Sequence, residues 1–244
     1  MIMRRVNPLL LTLALLLALT LPVLAAGPGS GVSPDAALTM LKDGNARFVA
    51  GKPQYPHQNK ERRVLTATKG QAPIATILSC SDSRAPVELI FDQGVGDLFV
   101  VRVAGNVAGT DEIASLEYAS EHLHTPLLVV LGHTKCGAVT AVVENAQLRG
   151  NLASLAAKIK PAVFKTRMAH RDLRGDAFLA AAIKANVQQA LADLLVRSRI
   201  IKDLIKAGKL QVSGAIYDLE SGKVEWLEPN PEEKELVWGK GGAK

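Results

Sequence analysis

Aromatic side chains make up only 4% of this 244-residue sequence, and no dense run of Lys and Arg has aromatics interleaved in it. A nucleic-acid partner would call for such a surface, so none is expected. After the first two dozen residues no apolar stretch approaches the roughly 20 residues of a membrane span, so no membrane association is expected of the mature chain. There are two cysteines, Cys80 and Cys136, and no internal repeat. Charged residues, 21% of the total, are spread along the chain, which argues against wholesale disorder. With 48% hydrophobic residues, the length suffices for one well-buried domain.

The first 26 residues stand apart. Arg4 and Arg5 precede Leu9–Leu19, which is nearly all Leu and Ala, and Pro22 and small residues lead to Ala25, Ala26 and Gly27. A positive start, a short apolar core and a small-residue exit predict a secretory signal peptide over 1–26 and a periplasmic or secreted product. Cleavage after Ala25 and after Ala26 both fit, and the Arg pair also suits a twin-arginine route. Losing this segment removes two arginines and no acid, so the mature chain stays mildly basic.

Residues 27–32 read as a flexible Gly/Ser/Pro junction, 33–229 as a single domain and 230–244 as a charged, Gly-rich tail. Ser33 is placed to cap a helix with Pro34 at its first position, and Gly51 ends it. Three short apolar runs, Ile74–Leu78, Leu98–Val103 and Leu127–Leu131, do not alternate, as expected of strands buried on both faces of a parallel sheet. Helical patterns separate them: Pro86–Phe91, Asp111–Leu123 capped by Thr110, Gly137–Leu148, and a long stretch from about Asp176 to Ala207 with Gly208 at its end. Leu210–Tyr217 and Val224–Leu227 flank a Ser221-Gly222 turn as a hairpin. The fold class is therefore α/β: a mostly parallel central sheet flanked by helices, with a C-terminal strand hairpin. Such sheets bind ligands beyond the carboxyl ends of their strands.

Both cysteines sit at such ends. The first strand runs into Cys80-Ser81-Asp82-Ser83-Arg84, the third into Gly132-His133-Thr134-Lys135-Cys136-Gly137. In an exported protein an even pair of cysteines is by default a disulfide. Their neighbours point elsewhere, because two thiolates, an imidazole and a carboxylate form a tetrahedral set suited to zinc. Cys80 and Asp82 can face one way in an extended turn. His133 and Cys136 have the spacing of residues on one face of a helical turn, and Gly132 and Gly137 allow bending and close approach. Asp82 and Arg84 can pair, since a guanidinium fork matches a carboxylate. A carboxylate held by an Arg leaves a fourth zinc position open to water, whose pKa zinc lowers to about 7.

On these motifs the sequence resembles the β-carbonic anhydrases from about Pro34 to Leu227, supported by Phe99-Val100-Val101-Arg102, Ala104-Gly105-Asn106 and Gly214-Ala215-Ile216-Tyr217-Asp218. The resemblance implies Zn²⁺ held by Cys80, His133 and Cys136. Asp82 would be the fourth ligand in a closed state and the partner of Arg84 in an open, catalytic one. It also implies CO₂/bicarbonate as the substrate pair, a substrate-binding Gln71 near a subunit interface, backbone at Gly137 beside the pocket, and a homodimer or higher homo-oligomer. Some relatives have a second, inhibitory bicarbonate site of Trp, Arg and Tyr; Arg102 and Tyr118 fit that pattern, but Ile77 replaces the Trp, so no such switch is expected. A carbonyl sulfide or carbon disulfide hydrolase on the same scaffold is the alternative enzyme. A zinc or bicarbonate binding protein is the non-enzymatic alternative, which has no use for an open fourth position. His122 and His124 read as surface residues at a helix end, and His57 and His170 carry no signal.

Overall fold

The computed structural model describes residues 29–240. The proposed signal segment 1–26 and the last four residues lie outside these. A five-stranded sheet in the order β2-β1-β3-β4-β5 forms the centre. The strands are β1 (Ala75–Ser79), β2 (Leu98–Arg102), β3 (Leu127–His133), β4 (Gln211–Tyr217) and β5 (Val224–Trp226). The first four are parallel, and β5 returns antiparallel to β4.

Every residue of β1 and β3 is buried, which is why their sequences do not alternate. The strand pleat sends Ile77, Leu127, Val129 and Leu131 to one face, under α1 (Pro34–Val49) and α3 (Val87–Ile90). Leu78, Leu128 and Val130 face the other way, toward α4 (Thr110–Glu121) and α7 (Gly175–Arg197). A third apolar cluster surrounds Cys80 and Cys136 with residues of α5 (Gly137–Val143), α6 (Leu152–Ala169) and α7. The remaining helices are α2 (Lys60–Lys69), α8 (Arg199–Lys206) and α9 (Pro231–Trp238). No helix among the described residues is long and apolar enough to cross a membrane.

α1 begins as its sequence predicts, with the Ser33 hydroxyl accepting from the Ala36 amide. It lies close against α3: a methyl group on Gly44 would sit 1.8 Å from the Phe91 carbonyl oxygen, so glycine alone allows the contact. Next to it, the buried Asp92 carboxylate accepts from Arg47 Nε at 2.6 Å and from the Gln54 and Tyr55 amides at 2.9 and 3.0 Å, holding the 52–59 loop. Burial alone would raise this carboxyl, but the Gln54 amide, the Arg47 guanidinium and the Tyr55 amide keep it below its ordinary 3.8. A carboxyl depressed in the native state adds stability at pH values above its unfolded value, and that stability is lost as acid protonates the native group. Asp92→Asn should therefore cost about 1–3 kcal/mol at neutral pH. Its urea midpoint should also fall less steeply on acidification than that of the parent chain; parallel acid profiles would exclude this role.

Several boundaries differ from expectation for identifiable reasons. The long C-terminal helix breaks at Ser198, whose backbone is extended (φ −104°, ψ 111°) and whose hydroxyl caps α8 at the Ile201 amide while donating to Glu117. Thr110 is the first residue of α4 rather than its cap, and its hydroxyl accepts from Arg197. α5 stops at Val143, because Asn145 turns the chain with φ +55°. Residues 231–238, read as part of a charged tail, form α9, which buries Val237 in the α7–α8 cluster.

Candidate metal centre

Cys80 follows the last residue of β1, and His133 is the last residue of β3, its neighbour in the sheet. Parallel pairing thus delivers both to the same carboxyl end. Cys136 arrives by a different route from the helical spacing expected. Lys135 takes a left-handed conformation (φ +55°), the chain reverses, and Cys136 becomes the cap residue of α5. One donor atom each from Cys80, His133 and Cys136 then lies within 4.8 Å of the others, all three residues being buried. Both cysteines are free thiols.

The surroundings fit a soft divalent cation. His133 Nδ1 is 2.9 Å from the Thr134 carbonyl, to which it donates; Nε2 is left with its lone pair toward the sulfurs, and it has no hydrogen-bond partner despite complete burial. The Cys136 thiol, with the amides of Gly105 and Asp82, holds Cys80 far below the ordinary thiol range against the effect of burial. Cys136 in turn is pushed up by the Cys80 thiolate and by burial. Two sulfurs that compete for one proton, beside an unpartnered imidazole nitrogen, are a donor set that a zinc ion satisfies at once.

Asp82 is engaged with Arg84. Arg84 Nε donates to Oδ1 at 2.9 Å and Nη2 to Oδ2 at 2.8 Å, and the Arg84 backbone amide adds a third bond at 2.9 Å. The guanidinium holds this carboxyl well below the usual carboxylate range. Oδ2 still lies 3.7 Å from His133 Nε2, so the carboxylate borders the donor cluster without joining its three-residue set.

Other groups brace the two loops. Arg102, at the end of β2, donates from Nε to the Cys80 carbonyl at 3.1 Å and from Nη2 to the Asp82 carbonyl at 2.6 Å. The Gly105 amide donates to Cys80 Sγ at 3.2 Å. Thr134 donates to Asp218 and accepts from the Leu219 amide, tying the His133 loop to the end of β4. These bracing contacts were not foreseen. The Ala104-Gly105-Asn106 and Gly214–Asp218 runs marked the right segments, but the contacts span distant parts of the chain. The three positions compared with a second bicarbonate site do not converge: Ile77 is buried under α1, Tyr118 lies on α4 on the other face, and Arg102 is engaged with loop carbonyls.

Gln71 and Gly137 are placed differently from the ligand set. Gln71 is exposed before the amino end of β1, nine residues ahead of Cys80 in its own chain, with the whole of that five-residue strand, about 17 Å long, between them. Gly132 does allow close approach, since a methyl there would be 2.6 Å from Val187 Cγ2. Gly137 is exposed at the start of α5 with open space where a side chain would be, so nothing within its own chain demands glycine. His122 and His124 are exposed at the end of α4, while His57 Nδ1 lies 2.8 Å from Asp97 in a separate ion-pair cluster.

The sequence profile described as carbonic anhydrase matches residues 75–224, which contain both loops. A carbonic anhydrase of Mycolicibacterium smegmatis is 42% identical over 197 residues, covering 79% of this chain and 93% of that protein. Carbonic anhydrase 2 of Mycobacterium tuberculosis is also 42% identical, over 78% of this chain and 91% of its own. Among solved structures, the β-carbonic anhydrase CafA of Aspergillus fumigatus superposes with a TM-score of 0.64 at 30% identity, over 82% of this chain and 93% of that one. Fold, donor set and sequence agree: the chain belongs to the β-carbonic anhydrase family.

Proposed function

We propose that this chain catalyses the reversible hydration of carbon dioxide to bicarbonate and a proton, with zinc held by Cys80, His133 and Cys136. Zinc, the cofactor of this family, supplies Lewis acidity and, from water, a nucleophile at neutral pH. The observation that carries the reading is Asp82, drawn aside by the Arg84 fork at the edge of a three-donor cluster. With zinc on those three donors, a fourth position would thereby stay free for reacting molecules, which a storage or purely structural site does not need. From there the Asp82 carboxylate can accept a hydrogen bond from incoming water and orient it, while the Arg84 fork keeps the carboxylate from swinging inward. The two sulfurs sit against the apolar cluster of Val107, Val139 and Ile159, which excludes water from behind them.

The working unit we propose is a homodimer or larger homo-oligomer. Gln71 lies too far from its own Cys80 to meet substrate there, so it would serve the site of a second copy. Residues 1–26 would direct export to the periplasm or beyond.

The test is stopped-flow CO₂ hydration by the chain from residue 27, with zinc quantified and carbonyl sulfide and carbon disulfide assayed alongside. Rapid hydration with about one zinc per chain is expected. Full zinc without hydration, or faster turnover of a sulfur substrate, would overturn the proposal.

A further inference from the structure

The buried stripe of α7 runs Phe178, Ala182, Ile183, Asn186, Val187, Ala190, Leu191, Leu194 and Leu195. Asn186 is its only polar member and is 2% exposed. Burying a primary amide carries a desolvation penalty that a leucine in the same stripe would avoid. Its Nδ2 donates to the Gly105 carbonyl at 2.7 Å, across 81 residues of sequence. Gly105 is confined in three ways. Its backbone is left-handed (φ 74°, ψ 15°), a methyl there would sit 2.8 Å from Ile159 Cδ1, and its own amide donates to Cys80 Sγ. The chain of contact is therefore short: Asn186 holds the Gly105 carbonyl, and Gly105 aims its N–H at the sulfur.

We propose that Asn186 is a positioning residue for the metal centre, setting through Gly105 the direction and electron density of the Cys80 sulfur. This rests on the reading of Cys80 as a zinc ligand. An N–H···S bond withdraws charge from a thiolate, making it a weaker donor and leaving the metal more acidic; it also fixes which way the sulfur lone pairs point. Without Asn186 the Gly105 carbonyl loses its anchor, the whole glycine is free to shift in the loop, its amide drifts off the sulfur, and both effects fade. Partners of this kind, one bond removed from a ligand, typically change metal affinity by about 10–100-fold.

The experiment compares the mature chain with Asn186→Leu, Asn186→Ala and Leu194→Ala. The last softens the same helix in a different part of the core. Zinc affinity is measured by competition with a chromophoric chelator, thermal unfolding is measured on the metal-free proteins, and the near-ultraviolet thiolate-to-cobalt band is recorded after cobalt replaces zinc. Asn186→Leu should bind zinc about tenfold more weakly, because a misdirected and more readily protonated sulfur outweighs its gain in donor strength, and should shift the cobalt band to lower energy, because a sulfur relieved of its hydrogen bond gives up charge more readily. Leu194→Ala should unfold earlier yet keep both affinity and band. Asn186→Ala, which removes the donor without adding bulk or charge, should behave as Asn186→Leu does and guards against a leucine variant that fails to fold. Unchanged affinity and band in a folded Asn186 variant would overturn the proposal, as would equal zinc loss in Leu194→Ala. An unaltered cobalt band in Cys80→Ser would instead remove the ligand assignment beneath it, a distinguishable result.

Discussion

Arg84→Ala should leave about one zinc per chain in place while lowering CO₂ turnover by about 10–100-fold, the range for residues that orient groups at a metal. The reason lies in what Asp82 does when its fork is gone. Arg84 supplies two side-chain bonds and one backbone bond to the carboxylate, and the variant keeps only the backbone one. Asp82 Oδ2 is already 3.7 Å from His133 Nε2, so a small rotation would let it join His133 and the sulfurs in holding a metal. A carboxylate so bound would occupy the position that water needs. Arg84→Lys should fall between the two, since an ammonium preserves the charge but cannot match both oxygens. Zinc analysis beside stopped-flow rates decides the matter, and near wild-type turnover with full zinc in Arg84→Ala would exclude this role for the pair.

Cys136→Ser should have the larger effect on the metal. Zinc binding to four-ligand protein sites is worth about 10–16 kcal/mol. A single ligand therefore accounts for roughly 3–4 kcal/mol, or about 10²–10³-fold in affinity. The fold should survive, because the cap of α5 depends on the Cys136 carbonyl, which accepts from Thr140 and does not involve sulfur. The expected protein is thus folded, largely free of zinc at micromolar metal, and inactive unless zinc is in excess. Retention of stoichiometric zinc through dialysis against a chelator would remove Cys136 from the ligand set.

The sequence made the sheet legible because burial on both faces leaves no polar residue in β3 before its terminal His133. The donor cluster was equally legible, since Cys80, His133 and Cys136 have residue types and neighbours that chemistry constrains more tightly than packing does. The rest depended on contacts that leave little trace in local pattern. α2 buries none of its residues, so no apolar periodicity marks it. α6 contains Pro161, which reads as a helix breaker, yet the helix continues through it with Ile159, Ala162 and Val163 buried. The helix spacing assigned to His133 and Cys136 gave the right proximity for the wrong reason, as a left-handed Lys135 brings them together. Asn186 looked like one more residue of an Ala- and Leu-rich helix, and only the fold brings it to Gly105.

The zinc donors come from the ends of β1 and β3, with β2 and α4 between them in the chain. An unfolded polypeptide cannot present such separated groups together, so zinc distinguishes the folded chain from every open form. Mass action then links folding to metal supply: each tenfold rise in free zinc above the dissociation constant favours the folded chain by about 1.4 kcal/mol. The persistence of this enzyme against unfolding and proteolysis is therefore set partly by its surroundings. A compartment rich in available zinc lengthens its lifetime, and one that sequesters the metal exposes the same polypeptide to degradation.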